Sequence, residues 1–586
     1  MTNNRLQLLR NKMRQEGIDV YYFNTSDYHM SEYVSEYFKT IAYFSGFTGS
    51  LATLLVDLEK AYIFVDGRYH VQADKQCLIN DVEVIKLGTK DALEPLDFIK
   101  KFYKDKVLGL DGKRTSASFG KKLLDLGINF KSIDIYSDII ENRAPLKNDR
   151  IYELDDRYTG LPRNKKLKMI AHYLKDDVHI INNLESIAYL LNLRSNDVLY
   201  TPVFMSFLVF YENNYYLFVD KKRLDEELLK KLNEDGVIVK NYDSYYTFLL
   251  TIENKHITLD ENKVNFESFL LVKNANVIDN KRSIVEDMKA IKNPIEQDNL
   301  RLAHIYDGVA EVRFLKWLDE IDKSQISELD AANKIDSLRK EYKANDLSFS
   351  SIVAYNENAA QMHYSPFNGH PKRLDNNGIL LIDSGGQYNL GTTDITRTVA
   401  LGEVSDEIKK WFSLVLKSMF NLSEVKFMKG LSGDQLDILA RKDLWELGVD
   451  YRCGTGHGVG YNLSVHEGPP NVRYMETQSK TEQAEIKPGM VFSDEPGVYF
   501  ENRFGIRCEN LVLCYKDEEN EYGEFYKLET LTMVPFDLRL IDKKYLDDRT
   551  IRALNKYHQT VYRKLSPYLN DDEKNYLRKI TREIWN

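Results

Sequence analysis

Two stretches, "LLVDLEKAYIFVD" at residues 54–66 and "FLVFYENNYYLFVD" at residues 207–220, decide how the N-terminal half is read. Each is an apolar run, a short polar turn and a second apolar run closed by an aspartate, Asp66 or Asp220. That pattern reads as strand, turn, strand. The likeness extends outward. "GIDVYYFN" around Val20 matches "DDVHIINN" around Val178, and "KVLGLDG" at Asp111 matches "HITLDEN" at Asp260. The offsets are 158, 154 and 149 residues, in one order along the chain. Three ordered matches at nearly one spacing predict two related domains. Helical stretches alternate with strands in each, so both are α/β. The first spans 1–145 and the second 146–285, opening near "YELDDRYTGLPRNKKLKMIAHYL".

A break follows at "DNKRSIVEDMKAIKNPIEQDNL". Asn293 suits a helix cap and Pro294 the first helical turn, where a missing N–H costs nothing. Leu302, Ile305, Val309 and Val312 then recur at helical spacing and predict a buried stripe. The third region, 286–586, mixes helices and strands. The chain is therefore a multidomain α/β and α+β protein.

The whole composition narrows the function classes. At 586 residues the chain exceeds one core, since domains hold about 100–200 residues. A formal net charge of −10 argues against a nucleic-acid binder. The N-terminal segment lacks the apolar core of a secretion signal. No apolar run nears the roughly 18–20 residues that span a bilayer. The four cysteines, Cys77, Cys453, Cys508 and Cys514, form no CxxC pair, which fits reduced thiols in a cytoplasmic protein.

The chemistry concentrates in the third region. "ILLIDSGGQYNLGTTDITRTVALG" (379–402) reads as a hairpin with Asp383 on one arm and Asp394 on the other. Alone, such a pair reads as solvated turn acids. Glu495, after "MVF", and Glu509, inside "GIRCENLVLC", lie in apolar strand contexts, where an unpartnered charge is expensive. "CGTGHGVGYNLSVHEGPP" (453–470) lacks the Lys-Ser/Thr of a phosphate loop and the GxGxxG of a dinucleotide fold. Its alternating glycines fit an extended segment that something approaches closely, with His457 at its centre. Asp383, Asp394, His457, Glu495 and Glu509 together suit two divalent ions. Four carboxylates and one imidazole favour hard or borderline ions such as Mn²⁺.

These residues and phrases resemble the pita-bread metallopeptidases, and among them the long, three-domain aminopeptidase P group. "SDYHMSEY", "FSGFTGS" and "DGRYHVQADKQ" resemble its first creatinase-like domain and "YLLNLRSNDVLYTPVFMS" its second. "PFDLRLIDKKYLDDRTIRALNKYHQTVYRKLSP" resembles its C-terminal extension. The resemblance implies two creatinase-like N-terminal domains before a pita-bread catalytic domain. It implies hydrolysis of the N-terminal Xaa-Pro bond of peptides with proline in second position, by a water activated between two divalent metals. Asp383, Asp394, His457, Glu495 and Glu509 would be the ligands, with Glu495 also the proton carrier. His363, in "QMHYSP", and His466 match histidines that touch substrate and the tetrahedral intermediate. Tyr499 and Arg507 match positions near the proline pocket. Cys453 stands where the family usually has histidine, on the wall of the substrate pocket. The family's long form is usually a homodimer.

Overall fold

A computed structural model of the chain describes residues 2–77, 81–174, 178–474 and 484–585. Asp176 and Asp177 of the "DDVHIINN" match lie outside the described residues. The chain divides into two compact units, Met1–Glu286 and Asp287–Asn586.

The first unit holds two six-stranded sheets of the same topology. In one, the strand order is Glu83–Lys86, Ala61–Val65, Thr53–Asp57, Val20–Asn24, Leu108–Leu110, Phe130–Ser132. In the other it is Val237–Lys240, Asn214–Phe218, Phe207–Tyr211, Val178–Ile181, His256–Leu259, Val277–Asn280. In both, the third-to-fourth and second-to-third pairs are antiparallel and all others parallel. The three sequence matches are therefore equivalent strands: the hairpin, the central strand and the parallel strand beyond it. The central strands are apolar and buried on both faces, as a sheet covered by helices requires.

The second unit begins as the sequence suggests. Asn293 accepts from the backbone of Ile295 and Glu296, Glu296 returns the bond to Asn293 N, and Pro294 opens the 27-residue helix Pro294–Glu320. The stripe, however, is displaced. Val309 and Val312 are buried, but Leu302 and Ile305 are only half-buried. The buried face is instead drawn through Leu300, Ala303, Ala310 and Phe314 together with two acids, Asp307 and Glu311. Those acids meet the fully buried Arg339 at 2.7 and 2.6 Å, so the buried face carries an ion-pair network as well as apolar side chains. One core packs Phe314, Ile335, Val353, Leu380, Ile382 and Val399. Another packs Phe412, Val415 and Met419 against Ile506, Phe536, Leu554 and Val561. The C-terminal segment is thus part of the core.

Candidate metal centre

Sheet register sets the five predicted ligands side by side. The strands Ile379–Ser384 and Ile395–Ala400 are antiparallel, with Ser384 opposite Ile395. Asp383 and Asp394 therefore lie at one end of that ladder. The strands Val491–Asp494 and Asn510–Asn520 are antiparallel, with Asp494 opposite Asn510. Glu495 and Glu509, each one residue outside, lie at one end of the second ladder. Glu509 N donates to Thr396 O at 3.2 Å and joins the two ladders. His457 sits on the short strand Gly456–His457, paired with Asn471–Val472.

The reading of 379–402 as one hairpin is refined. Between its arms, Gly386–Tyr388 pairs with Gly391–Thr392 on one side and with Asp346–Leu347 on the other in a separate small sheet. The glycine alternation also finds its cause. A Cβ on Gly456 would lie 1.8 Å from Ser493 O, and one on Gly458 would lie 2.0 Å from Glu467 O. The chain's own backbone makes the close approach, and that packing seats His457 against the strand bearing Glu495.

One ligand atom from each of Asp394, His457 and Glu509 lies within 4.8 Å of the others. His457 Nε2 is 3.4 Å from Asp394 Oδ2 and 3.3 Å from Glu495 Oε1. Asp383 joins through Arg507, whose guanidinium donates to Asp383 Oδ2, to Tyr499 OH at 2.8 Å and to Thr396 Oγ1 at 3.0 Å. Arg507 is thereby a counter-ion inside the acid cluster. Asp383 Oδ1 and Glu509 Oε1 are buried without a hydrogen-bond partner among the described residues.

The electrostatics follow from that crowding. Burial pushes Glu509 well above the usual carboxylate range, and Asp394 and Glu495 push it further. Burial also raises Glu495, against His457 and Arg507. Asp383 rises to about 7 through burial, with Arg507 opposing and Asp394 adding. Burial lowers the imidazole of His457, but Asp394 and Glu495 more than reverse this and carry it to about 9. Four acids against one guanidinium and one imidazole leave a negative site with unpartnered oxygens. The donors are carboxylate oxygens and an imidazole nitrogen, which fits hard or borderline divalent cations.

The remaining predicted residues are placed as follows. The rings of His466 and His457 meet edge to face at 4.3 Å. Tyr499 is on the strand Gly497–Phe500, tied to Arg507. Cys453 packs on the same apolar cluster as Tyr499. His363 is half-buried on the segment after the turn Asn356–Ala360, which meets the strand Phe504–Arg507 where Ala359 O lies against Gly505.

Three supporting groups escaped the sequence reading. Ser493 Oγ accepts from His457 N at 2.9 Å and donates to Glu495 Oε1 at 3.0 Å. Thr396 Oγ1 donates to Glu509 Oε2 at 2.6 Å. Ser384 Oγ donates to Glu311 Oε1 at 3.2 Å, and Glu311 is held by Arg339. Ser493 stands two residues before Glu495, and Thr396 two after Asp394. A period-2 reading outward from the ligands finds both.

Comparison with known proteins agrees with this layout. The model of metallopeptidase family M24 matches residues 298–516, and that of its C-terminal region matches 524–584. Two models of the creatinase/prolidase N-terminal domain match 5–143 and 142–296. The chain is 34% identical to a probable Xaa-Pro aminopeptidase P of Botryotinia fuckeliana, over 98% of this chain and 91% of that one. It is 35% identical to one of Talaromyces marneffei, over 100% and 92%. The crystal structure of X-prolyl aminopeptidase from Caenorhabditis elegans, described as a cytosolic enzyme with a di-nuclear active site, superposes with a TM-score of 0.94. It is 30% identical and both chains are fully covered. The expected fold, two creatinase-like domains before an M24 catalytic domain, is the one found.

Proposed function

The chain belongs to metallopeptidase family M24, in the line of the Xaa-Pro aminopeptidase P proteins, and from that premise we propose that it hydrolyses the N-terminal Xaa-Pro bond of peptides. The observation that carries the reading is the group of Asp394, His457 and Glu509, joined by Glu495 through His457 and by Asp383 through Arg507, with two buried carboxylate oxygens left unpartnered. These five residues would hold two divalent cations, Mn²⁺ by the chemistry of the donors. When bound, such a pair lowers the pKa of a water and polarises the scissile carbonyl.

The chain's own groups do the rest. Glu495 carries the proton from the attacking water to the leaving proline nitrogen. Its Oε1 is held by Ser493 Oγ, which fixes the carboxylate for that transfer. His466, packed against His457, and His363 donate hydrogen bonds to the substrate carbonyl as negative charge develops on it. Arg507 opposes the protonation that burial favours at Asp383 and orients the Tyr499 hydroxyl. The tertiary amide before proline has no N–H, so the pocket must grip the ring by shape. Cys453 and Tyr499 are placed to line it.

Among the described residues no helix is long and apolar enough to cross a membrane. We place the protein in the cytoplasm and assign it a homodimer, both after the family. We set the domain limits at 1–145, 146–285 and 286–586. The discriminating assay compares an Xaa-Pro dipeptide with Xaa-Pro-Xaa peptides. Preference for the longer peptides is expected; hydrolysis of the dipeptide alone would make the chain a prolidase.

A further inference from the structure

The segment Asp450–Thr455 leads into His457 and presents Cys453. It has no regular structure of its own, yet it is held at three points by one side chain. Arg441, on the helix Gly433–Trp445, is fully buried. It donates to Asp437 Oδ2 at 2.7 Å, Asp450 Oδ1 at 2.8 Å, Tyr451 O at 2.8 Å and Cys453 O at 2.6 Å. The rings of Tyr451 and Tyr474 cover its plane at 3.8 and 4.7 Å. Asp437 extends the hold. Its Oδ1 accepts from Thr455 Oγ1, which also meets Tyr451 OH at 2.5 Å. Thr455 O then accepts the backbone N–H of Glu495 at 2.7 Å.

From this geometry we infer that Arg441 is a positioning residue for the site: it fixes the Cys453 wall and, through Asp437 and Thr455, the backbone of Glu495. A planar fork with five donors can serve two carboxylates and two carbonyls at once between aromatic faces. A lysine ammonium cannot span them. The substrate consequence rests on the proposed Xaa-Pro activity; the clamp itself does not.

The chain carries its own reporter. Cys77, Cys508 and Cys514 are buried, and Cys453 is the half-buried thiol. In the metal-loaded protein, iodoacetamide should therefore label Cys453 first. Arg441→Met and Arg441→Lys should each raise that labelling rate roughly ten-fold, the scale of a local opening made easier by one lost charge-assisted bond. Both should also raise KM and lower kcat on an Xaa-Pro-Xaa peptide, with no rescue by lysine. Asp450→Asn, which removes only the partly exposed partner, should give a smaller rise and covers the case in which the Arg441 variants do not fold. Labelling rates within about two-fold of the wild type in the folded Arg441 variants, or in Asp450→Asn if they do not fold, would overturn the clamp. Wild-type protein inert on Xaa-Pro-Xaa would sink the proposed function instead, and leave the labelling result to decide the clamp.

Discussion

Glu495 is the residue on which the chemistry turns. Its Oε1 lies between His457 Nε2 and Ser493 Oγ, so the proposed roles of ligand and proton carrier fall on one carboxylate. Glu495→Gln keeps the shape and removes the base. Turnover is expected to fall by about 100-fold or more, with an unchanged circular dichroism spectrum. Activity near wild type would take Glu495 out of the mechanism. Ser493→Ala tests the support rather than the chemistry. It frees Oε1 and withdraws the acceptor of His457 N. A loss of about 10-fold or more in metal affinity is expected by calorimetry, because such outer hydrogen bonds orient the ligands. An unchanged affinity would make Ser493 a bystander. Cys453 differs from both. It packs on the apolar cluster that also holds Tyr499, so Cys453→Ser should alter KM and leave the metal content of the protein as it was.

At the scale of the element, the site depends on how closely strands meet. Gly456 and Gly458 let the His457 strand lie against the carbonyls of Ser493 and Glu467. Gly456→Ala would press a methyl onto Ser493 O. A stability loss of about 1–3 kcal/mol is expected in thermal melts, together with weaker metal binding. A variant as stable and as metal-loaded as the parent would mean the strands separate easily. The same elements explain what sequence could reveal. The five proposed ligands could be picked out in the sequence because acids inside apolar strands need a partner, and one histidine among glycines stands out. Arg441, Ser493 and Thr396 could not. A hydroxyl or an arginine in a polar stretch has many ordinary uses: Ser493 and Thr396 follow from period-2 spacing only once the ligands beside them are assigned, and only the fold shows Arg441 holding the segment that leads to His457. The helix stripe went astray for a related reason. Apolar spacing alone cannot register that Asp307 and Glu311 must face Arg339.

At the scale of the whole molecule, the two sheets of the first unit were legible because three strand matches kept order and spacing. The loops between them were not, and buried polar groups there carry a pH dependence. His29 is fully buried, its Nδ1 donating to Asn182 O at 2.9 Å and its Nε2 facing Tyr242 OH at 2.8 Å. Burial lowers it to about 4 from 6.5. The folded state thus holds a neutral imidazole, so this stability is complete above pH 6.5 and is lost as pH falls toward 4. The loss amounts to about 3 kcal/mol at the acid end. Melts of the wild type should weaken across that window, and His29→Gln should flatten the slope. A variant with the wild-type slope would clear His29. The central claim, cleavage of Xaa-Pro at a two-cation site, is tested most directly by one titration. Chelator-stripped protein is given Mn²⁺ in steps while hydrolysis of an Xaa-Pro-Xaa peptide is followed. No turnover before addition, and recovery that saturates at two equivalents per chain, is the expected result. Full hydrolysis by the stripped protein would contradict the account.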